Sequence, residues 1–539
     1  MSDGRSLFHG WRARTHYLTR DRRFLLRTAL GIIALGMIIA SAIVSSTRQP
    51  NLYSVAFAMN PARNQVRVEY QNLRHTSEPQ PRELATWLRR ALALIGNDDV
   101  GNEYAEYEST GLLDGHDVRV LIDRHATTDA PAGLFRAFLA AALAADADAM
   151  RQLAAAAQGK PPAFLANELL GSVQKRHGET AAAMQSFYTE GLHFADAKAA
   201  REEALRLSVT LKDLEQLRLI AAQPGWVEAC HPLLQHHAGA LLGDIWMQWR
   251  GLLHHRLAEV PFSMLVLAIF ATGLWYVILV QHSDREHWHW VRPMPAIVAG
   301  VCSVWPTLSV LAYQEFVQGM TADAPFPHDL IYYLAGVGLR EEGCKLALFA
   351  FLLPWLLWRR KPGLALLSGA FVGLGFSLAE NIGYYQDYGG GIAWTRFLSA
   401  NFLHISLTGV CGHSLYNMLR TRFARADEFI ATFLAAVAVH GGYDWLGTNP
   451  IDDNGWLSIV VLVLAVARFI DLLAAETRPV RLTVAPRAIF TLGSAILIAI
   501  SFILGAQATG SMEGVSKAGM ECLSMVPIAV LYWRKFENI

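Results

Sequence analysis

The stretch LREEGCKLALFAF, Leu339–Phe351, sets an arginine, two glutamates and a lysine into what otherwise has the composition of a membrane-spanning helix. Ionisable groups inside a span cost several kcal/mol when unpaired, so such residues mark function by default. Whether this is a span at all depends on its surroundings. From about Val260 to the end of the chain, apolar runs of about 18 or more residues recur near 260–280, 293–313, 330–358, 363–385, 395–419, 429–446, 455–475, 488–508 and 517–533. One more, FLLRTALGIIALGMIIASAIV, follows an N-terminal stretch in which residues 1–27 hold seven arginines and two aspartates. It is longer than the apolar part of a signal peptide, and SSTRQPNLYSV after it is a poor cleavage site, so an uncleaved anchor is expected.

Ten spans make a testable topology. HSDREHWHWVR, WRRKPG, RTRFARADE, ETRPVRLTVAPR and WRKFENI then share the side of the N-terminus, while QEFVQGMTADAPFPHD, QDYGGG, GTNPIDDNG and AQATGSMEGVSK, with one lysine between them, lie opposite. The basic loops therefore place both termini in the cytoplasm. The composition agrees with a membrane protein, 53% hydrophobic and 17% charged over 539 residues. Lys+Arg and Asp+Glu are equal at 46 each, which gives no basis for a nucleic-acid partner. Of five cysteines only Cys230 lies outside the apolar segments, so neither a disulfide framework nor a CxxC metal site is expected.

The expected architecture is all-α: a cytoplasmic basic N-terminus (1–26), an anchor (27–46), an extracytoplasmic domain (47–255), a membrane core (260–475) and a C-terminal transmembrane extension (476–539). In the outer domain, PAFLANELLGSVQKRHGETAAAMQSFYTEGL and AAREEALRLSVTLKDLEQLRLIAA each divide into two amphipathic helices. Their joints at Gly178 and Asp213 are about 35 residues apart, near the tetratricopeptide period. Generic hairpins and a repeat array are both open. VRVEYQNL and HDVRVLID have strand-like alternation, and binding of a protein partner is the expected role of this domain.

Three further polar clusters follow the first, on consecutive spans: Glu380 and Asn381 in GFSLAENIGYY, His404 and His413 in HISLTGVCGHSLYN, and His440 with Asp444 in VAVHGGYDWL. Glu341 and Lys345, like His440 and Asp444, are i,i+4 pairs on one helical face. Each alone has a packing explanation; four on four successive spans describe a buried polar site. Carboxylates and imidazoles can activate water and stabilise an oxyanion, and Glu380, His413 and His440 can also form a zinc-ligand set, with Glu341 or Glu342 as general base. Either route is hydrolysis, and a site inside the bilayer is reached by membrane-embedded polypeptides. At about 1.5 Å per residue, Glu341 and His440 meet near mid-membrane, and His404 matches their depth better than His413 does.

In order, Glu341-Glu342-x-x-Lys345, Phe376-x-x-x-Glu380-Asn381, Cys411-Gly412-His413 and His440-Gly441-x-x-Asp444 resemble the four motifs of the PrsW intramembrane proteases, a bacterial family distantly related to the CAAX-prenyl endopeptidases. The resemblance covers about residues 325–447. It implies a protease of the bacterial inner membrane that cleaves membrane-anchored proteins, anti-sigma factors being the best-known case. It also implies that Glu341 or Glu342 activates water, while Glu380, His413 and His440 bind metal or shape the oxyanion site. Family members often carry an arginine about two turns before the third-motif histidine, where this chain has His404 and, further back, Arg396. The competing classes are a proton-coupled transporter and an inactive protease-like sensor or scaffold. A transporter predicts an internal repeat, and none is visible.

Overall fold

In the computed structural model the described residues are 13–46, 66, 69–70, 72–76, 78–95, 115–126, 129–258, 261–282, 290–448, 456–477, 484–509 and 511–536. The first twelve residues of the basic N-terminus and most of the loops 283–289, 449–455 and 478–483 used in the topology argument lie outside them. All regular structure among the described residues is helical. The chain divides into two compact units, residues 52–255 and residues 1–51 with 256–539.

The 52–255 unit is a succession of short helices from Pro81–Ile95 to Ile245–Ala258. HDVRVLID, expected as a strand, lies in the helix Gly115–His125. Val118, Leu121 and Ile122 are buried there while Val120 is 41% exposed, and that i, i+3, i+4 pattern is the face of a helix. The described part of VRVEYQNL is helical too. Ala166–Arg176 and Thr180–His193 form one hairpin, Lys198–Leu211 and Leu214–Ala221 the next. Gly178, at φ +81°, turns the first joint. At the second, Asp213 caps the following helix by accepting from the Gln216 backbone N–H at 3.0 Å. The closing helices have 14 and 8 residues, so the two hairpins are unequal.

In the other unit the principal helices are α1 (Arg22–Ser46), α2 (Phe262–Val280), α3 (Met294–Ala312), α4 (Arg340–Ala350), α5 (Pro362–Tyr388), α6 (Ala400–Arg420), α7 (Ala426–Thr448), α8 (Trp456–Glu476), α9 (Pro486–Thr509), α10 (Met512–Ser524) and α11 (Val526–Lys535). Seven described helices are long and apolar enough to span a bilayer by themselves, and eight if α10 and α11, bent by 45°, count as one. The chain is thus an integral membrane protein with a polytopic helical bundle. Two of the ten expected segments, 330–358 and 395–419, fall outside that set, and they bear the charged and histidine-rich motifs. The first is divided: a π-helical stretch Tyr332–Leu339 runs into α4, and a separate helix Leu353–Arg359 follows. The second breaks at Ser399, so α6 begins five residues later than the apolar run suggests. That break shifts which of its residues reach mid-membrane.

Close backbone approach positions the site. α5 packs most extensively on α6, and a Cβ on Gly373 would collide with the His404 carbonyl oxygen. A Cβ on Gly369 would stand 2.5 Å from the Thr408 carbonyl oxygen. This small-xxx-small spacing on α5 lets α6 come in where two of its residues reach the polar cluster. Gly338 and Gly441 serve the contact between the π-helical stretch and α7 in the same way, meeting Val437 and Tyr333 backbone atoms. Beside this core, Trp275 of α2 is fully buried, donates to the Phe397 carbonyl oxygen at 2.8 Å and lies against Phe402, Phe490 and Tyr532.

Candidate active site

Five elements bring the polar residues together: α4, α5, α6, α7 and the short helix Ala393–Leu398 that carries Arg396. α4 supplies Glu341, Glu342 and Lys345, all buried, with Lys345 and Glu342 at 0% exposure. Lys345 Nζ donates to Glu342 Oε1 at 2.9 Å and to Glu341 Oε2 at 3.4 Å, and sits 4.0 Å from the Phe376 ring centroid. A third Lys345 bond, 2.9 Å, runs to His404 Nδ1. An ammonium only donates, so Nδ1 accepts and the His404 proton sits on Nε2, which donates to Glu380 Oε2 at 2.9 Å. Glu380 also accepts from Arg396 Nη2 at 2.6 Å, while Arg396 Nε donates to Asn381 Oδ1 at 2.6 Å. Asn401 Oδ1 closes the chain, accepting from Asn381 Nδ2 at 2.7 Å and Ser377 Oγ at 2.6 Å.

The two glutamates of the doublet have different surroundings. Glu342 accepts from Lys345, from Thr408 Oγ1 at 3.2 Å and from His440 Nδ1 at 2.8 Å. With Nδ1 donating to Glu342, Nε2 is the His440 nitrogen left to face the other carboxylates. That nitrogen lies 3.4 Å from Glu341 Oε2 and 3.6 Å from Asp444 Oδ2. A cavity of about 330 Å³ adjoins the cluster, with Glu380, His404, His440 and Asp444 in its wall beside Tyr384, Tyr388 and Tyr443. The sequence could not choose between Glu341 and Glu342; in the structure their hydrogen-bond partners differ.

His413 is the residue the structure leaves out. It lies 3.4 Å from Glu476 of α8 and 3.3 Å from Asn417 Nδ2, neither of them in the cluster. Nine residues after His404 on the same helix is about 900° of rotation, so the two rings leave α6 on opposite sides. The expected ligand set Glu380, His413 and His440 is therefore not brought together; its histidine from α6 is His404. Arg396, Asn401 and Thr408 are the partners that the sequence reading undervalued. Asn401 and Thr408 lie at i−3 and i+4 from His404, a spacing that would have found them.

The donors suit a metal ion. Glu341, His404 and His440 each offer one ligand atom, all within 4.8 Å of one another. The 3.4 Å between Glu341 Oε2 and His440 Nε2 is about the separation of two ligands on a tetrahedral zinc with bonds of about 2.0–2.1 Å. Both His404 nitrogens already hold protein partners, so ligation through Nε2 would take the place of its bond to Glu380.

The model of the PrsW family intramembrane metalloproteases matches residues 286–470, a segment that holds every member of this cluster. Residues 286–470 belong to the PrsW family. No curated protein and no solved structure matches the chain. Membership makes the PrsW segment an intramembrane peptidase, with a bilayer as its surroundings and membrane proteins as its substrate class. The ordered motifs of the PrsW segment thus fall on one buried cluster, apart from His413.

Proposed function

We propose that the chain is an endopeptidase that cleaves membrane-anchored polypeptides at the cluster formed by Glu341, Glu342, Lys345, Glu380, His404, His440 and Asp444. The observation that carries this reading is the orientation of His440. Glu342 holds its Nδ1–H at 2.8 Å, and Nε2 faces Glu341 and Asp444 beside a cavity. That is a positioned imidazole next to carboxylates able to take a proton from water. Glu341, less saturated than Glu342, is the proposed water-activating carboxylate, and Glu342 is a positioning residue. Lys345, bonded to both carboxylates, offsets the doublet's charge in a low-dielectric interior. Arg396 holds Glu380, and Glu380 holds His404 with its proton on Nε2, ready to donate to a developing oxyanion or leaving amine.

In place of those base and donor roles, Glu341, His404 and His440 would be the ligands of a zinc ion. Bound there, it would supply Lewis-acid polarisation of the scissile carbonyl and a lowered pKa for water. The topology that goes with this reading puts both termini in the cytoplasm of a bacterial inner membrane and residues 47–255 outside, where they would bind a protein partner. The test is cleavage by the purified chain in liposomes, presented with single-span membrane proteins extracted from the same membrane. Fragments are expected with the wild type and not with Glu341→Gln, and a chelator should abolish them until zinc is restored. Equal fragments from both proteins would overturn the assignment; chelator-insensitive cleavage would overturn the zinc set alone.

A further inference from the structure

The 52–255 unit holds a second cavity of about 330 Å³, formed by the Pro81–Ile95 and Ala166–Arg176 helices with the segment leading into Lys198–Leu211. In its wall is Glu168, 2% exposed. One carboxylate oxygen, Oε2, accepts from Arg82 Nη1 at 3.1 Å, but Oε1 is buried without a hydrogen-bond partner. Glu69, in the same wall, repeats the pattern: Oε1 is bound to Arg90 and Oε2 is buried without a partner. Arg82 is already heavily engaged, donating also to Glu190 at 3.2 Å and to Asp196 at 2.6 and 3.1 Å, with its guanidinium 4.5 Å from the Phe164 ring.

Charge runs the same way. The wall itself holds four carboxylates, Glu69, Glu83, Glu168 and Asp196, against two cations, Arg82 and Lys198. A buried carboxylate oxygen without a donor costs free energy, and a cationic donor seated among these carboxylates would relieve it. A metal ion is the poorer candidate, because among the described residues the one group spaced for ligation is in the membrane unit.

We infer that this cavity binds an ammonium or guanidinium group, supplied by a basic side chain of a polypeptide or by a free organic cation. Glu168 is the buried anchor, Glu69 the second acceptor, and Asp196 and Glu83 add negative charge. The inference uses nothing of the peptidase reading, and its test reads binding, so either can fail without the other. Calorimetric titration of the full chain in lipid nanodiscs would compare Nα-acetyl-arginine amide with its neutral isostere Nα-acetyl-citrulline amide, with spermidine and with an arginine-containing tripeptide. The arginine amide should bind at least about tenfold tighter than the citrulline amide, and Glu168→Gln should remove about tenfold in affinity. A tripeptide that binds tighter than spermidine assigns a polypeptide source; the reverse assigns a free polyamine. Should Glu168→Gln misfold, the Glu83→Gln, Asp196→Asn double variant carries the test, since the Asp196 side chain is 64% exposed. No binding at about 10 mM, equal binding of the two amides, or an unchanged affinity in the folded variant would overturn the proposal.

Discussion

The two members of the glutamate doublet should respond differently to the same substitution. Glu341→Gln is expected to lower cleavage by about 10²–10⁴-fold, the range for a general base. Glu342→Gln removes the negative charge beside the His440 Nδ1–H, so its loss should be accompanied by a changed pH profile. Equal losses with unchanged profiles would show that the two carboxylates are not divided into these roles. The histidines of α6 give a sharper contrast. His404→Ala is expected to reduce cleavage by about 10²-fold or more, whereas His413→Ala, which disturbs contacts with Glu476 and Asn417, should stay within about tenfold of wild type. The reverse order would contradict the placement of the third-motif histidine. Sequence alone could find these residues, because charges in spans stand out against their surroundings. It could not say which of two histidines on one helix faces inward, since that depends on where α6 starts.

At the scale of elements, the interface of α5 with α6 is the part most exposed to a steric test. A side chain at Gly373 must push α6 away at His404, and a displacement of about 1 Å at reacting groups costs about 10²-fold in rate. Gly373→Leu should therefore lose activity comparably to a site variant although it removes no polar atom; near-normal turnover would show that the close approach is not required. The outer helices invite a different measurement. Burial pushes the Glu190 carboxyl up to about 7, against the pull of Arg82, from an ordinary value near 4.5. Because the folded value is the higher one, this contribution to stability is fully present below about 4.5 and is lost as pH rises through about 7. Hydrogen exchange in Thr180–His193, corrected for its intrinsic rate, should report weaker protection at pH 8 than at pH 5. Glu190→Gln should flatten that dependence, and parallel profiles would refute the assignment. Helices of the membrane unit were legible as long apolar runs. The 66–73 and 116–123 segments were not, because short β-branched stretches carry both periods and only the exposed Val120 shows which face is outward.

For the whole molecule, the sequence carried the class of the membrane unit and the order of its motifs, while the packing that unites them came from glycines whose role is invisible without neighbours. The count of spans differed for a physical reason: of the helices that build the polar site, α5 and α7 are long and apolar enough to span, while the segments of α4 and α6 are too polar or too broken. The expected topology is open to a direct check, since a reporter fused within Gly389–Ile392 should be extracytoplasmic and a cytoplasmic signal there would refute it. The central claim, that the buried cluster is a peptidase site, is tested most directly by comparing the new N-termini of membrane proteins in cells making the wild type and in cells making the Glu341→Gln, Glu342→Gln double variant at matched abundance. Fragments of a membrane-anchored protein present only with the wild type are the predicted result, and the cut would identify the substrate. Matching profiles under several stresses would contradict it and return the chain to the transporter or scaffold classes.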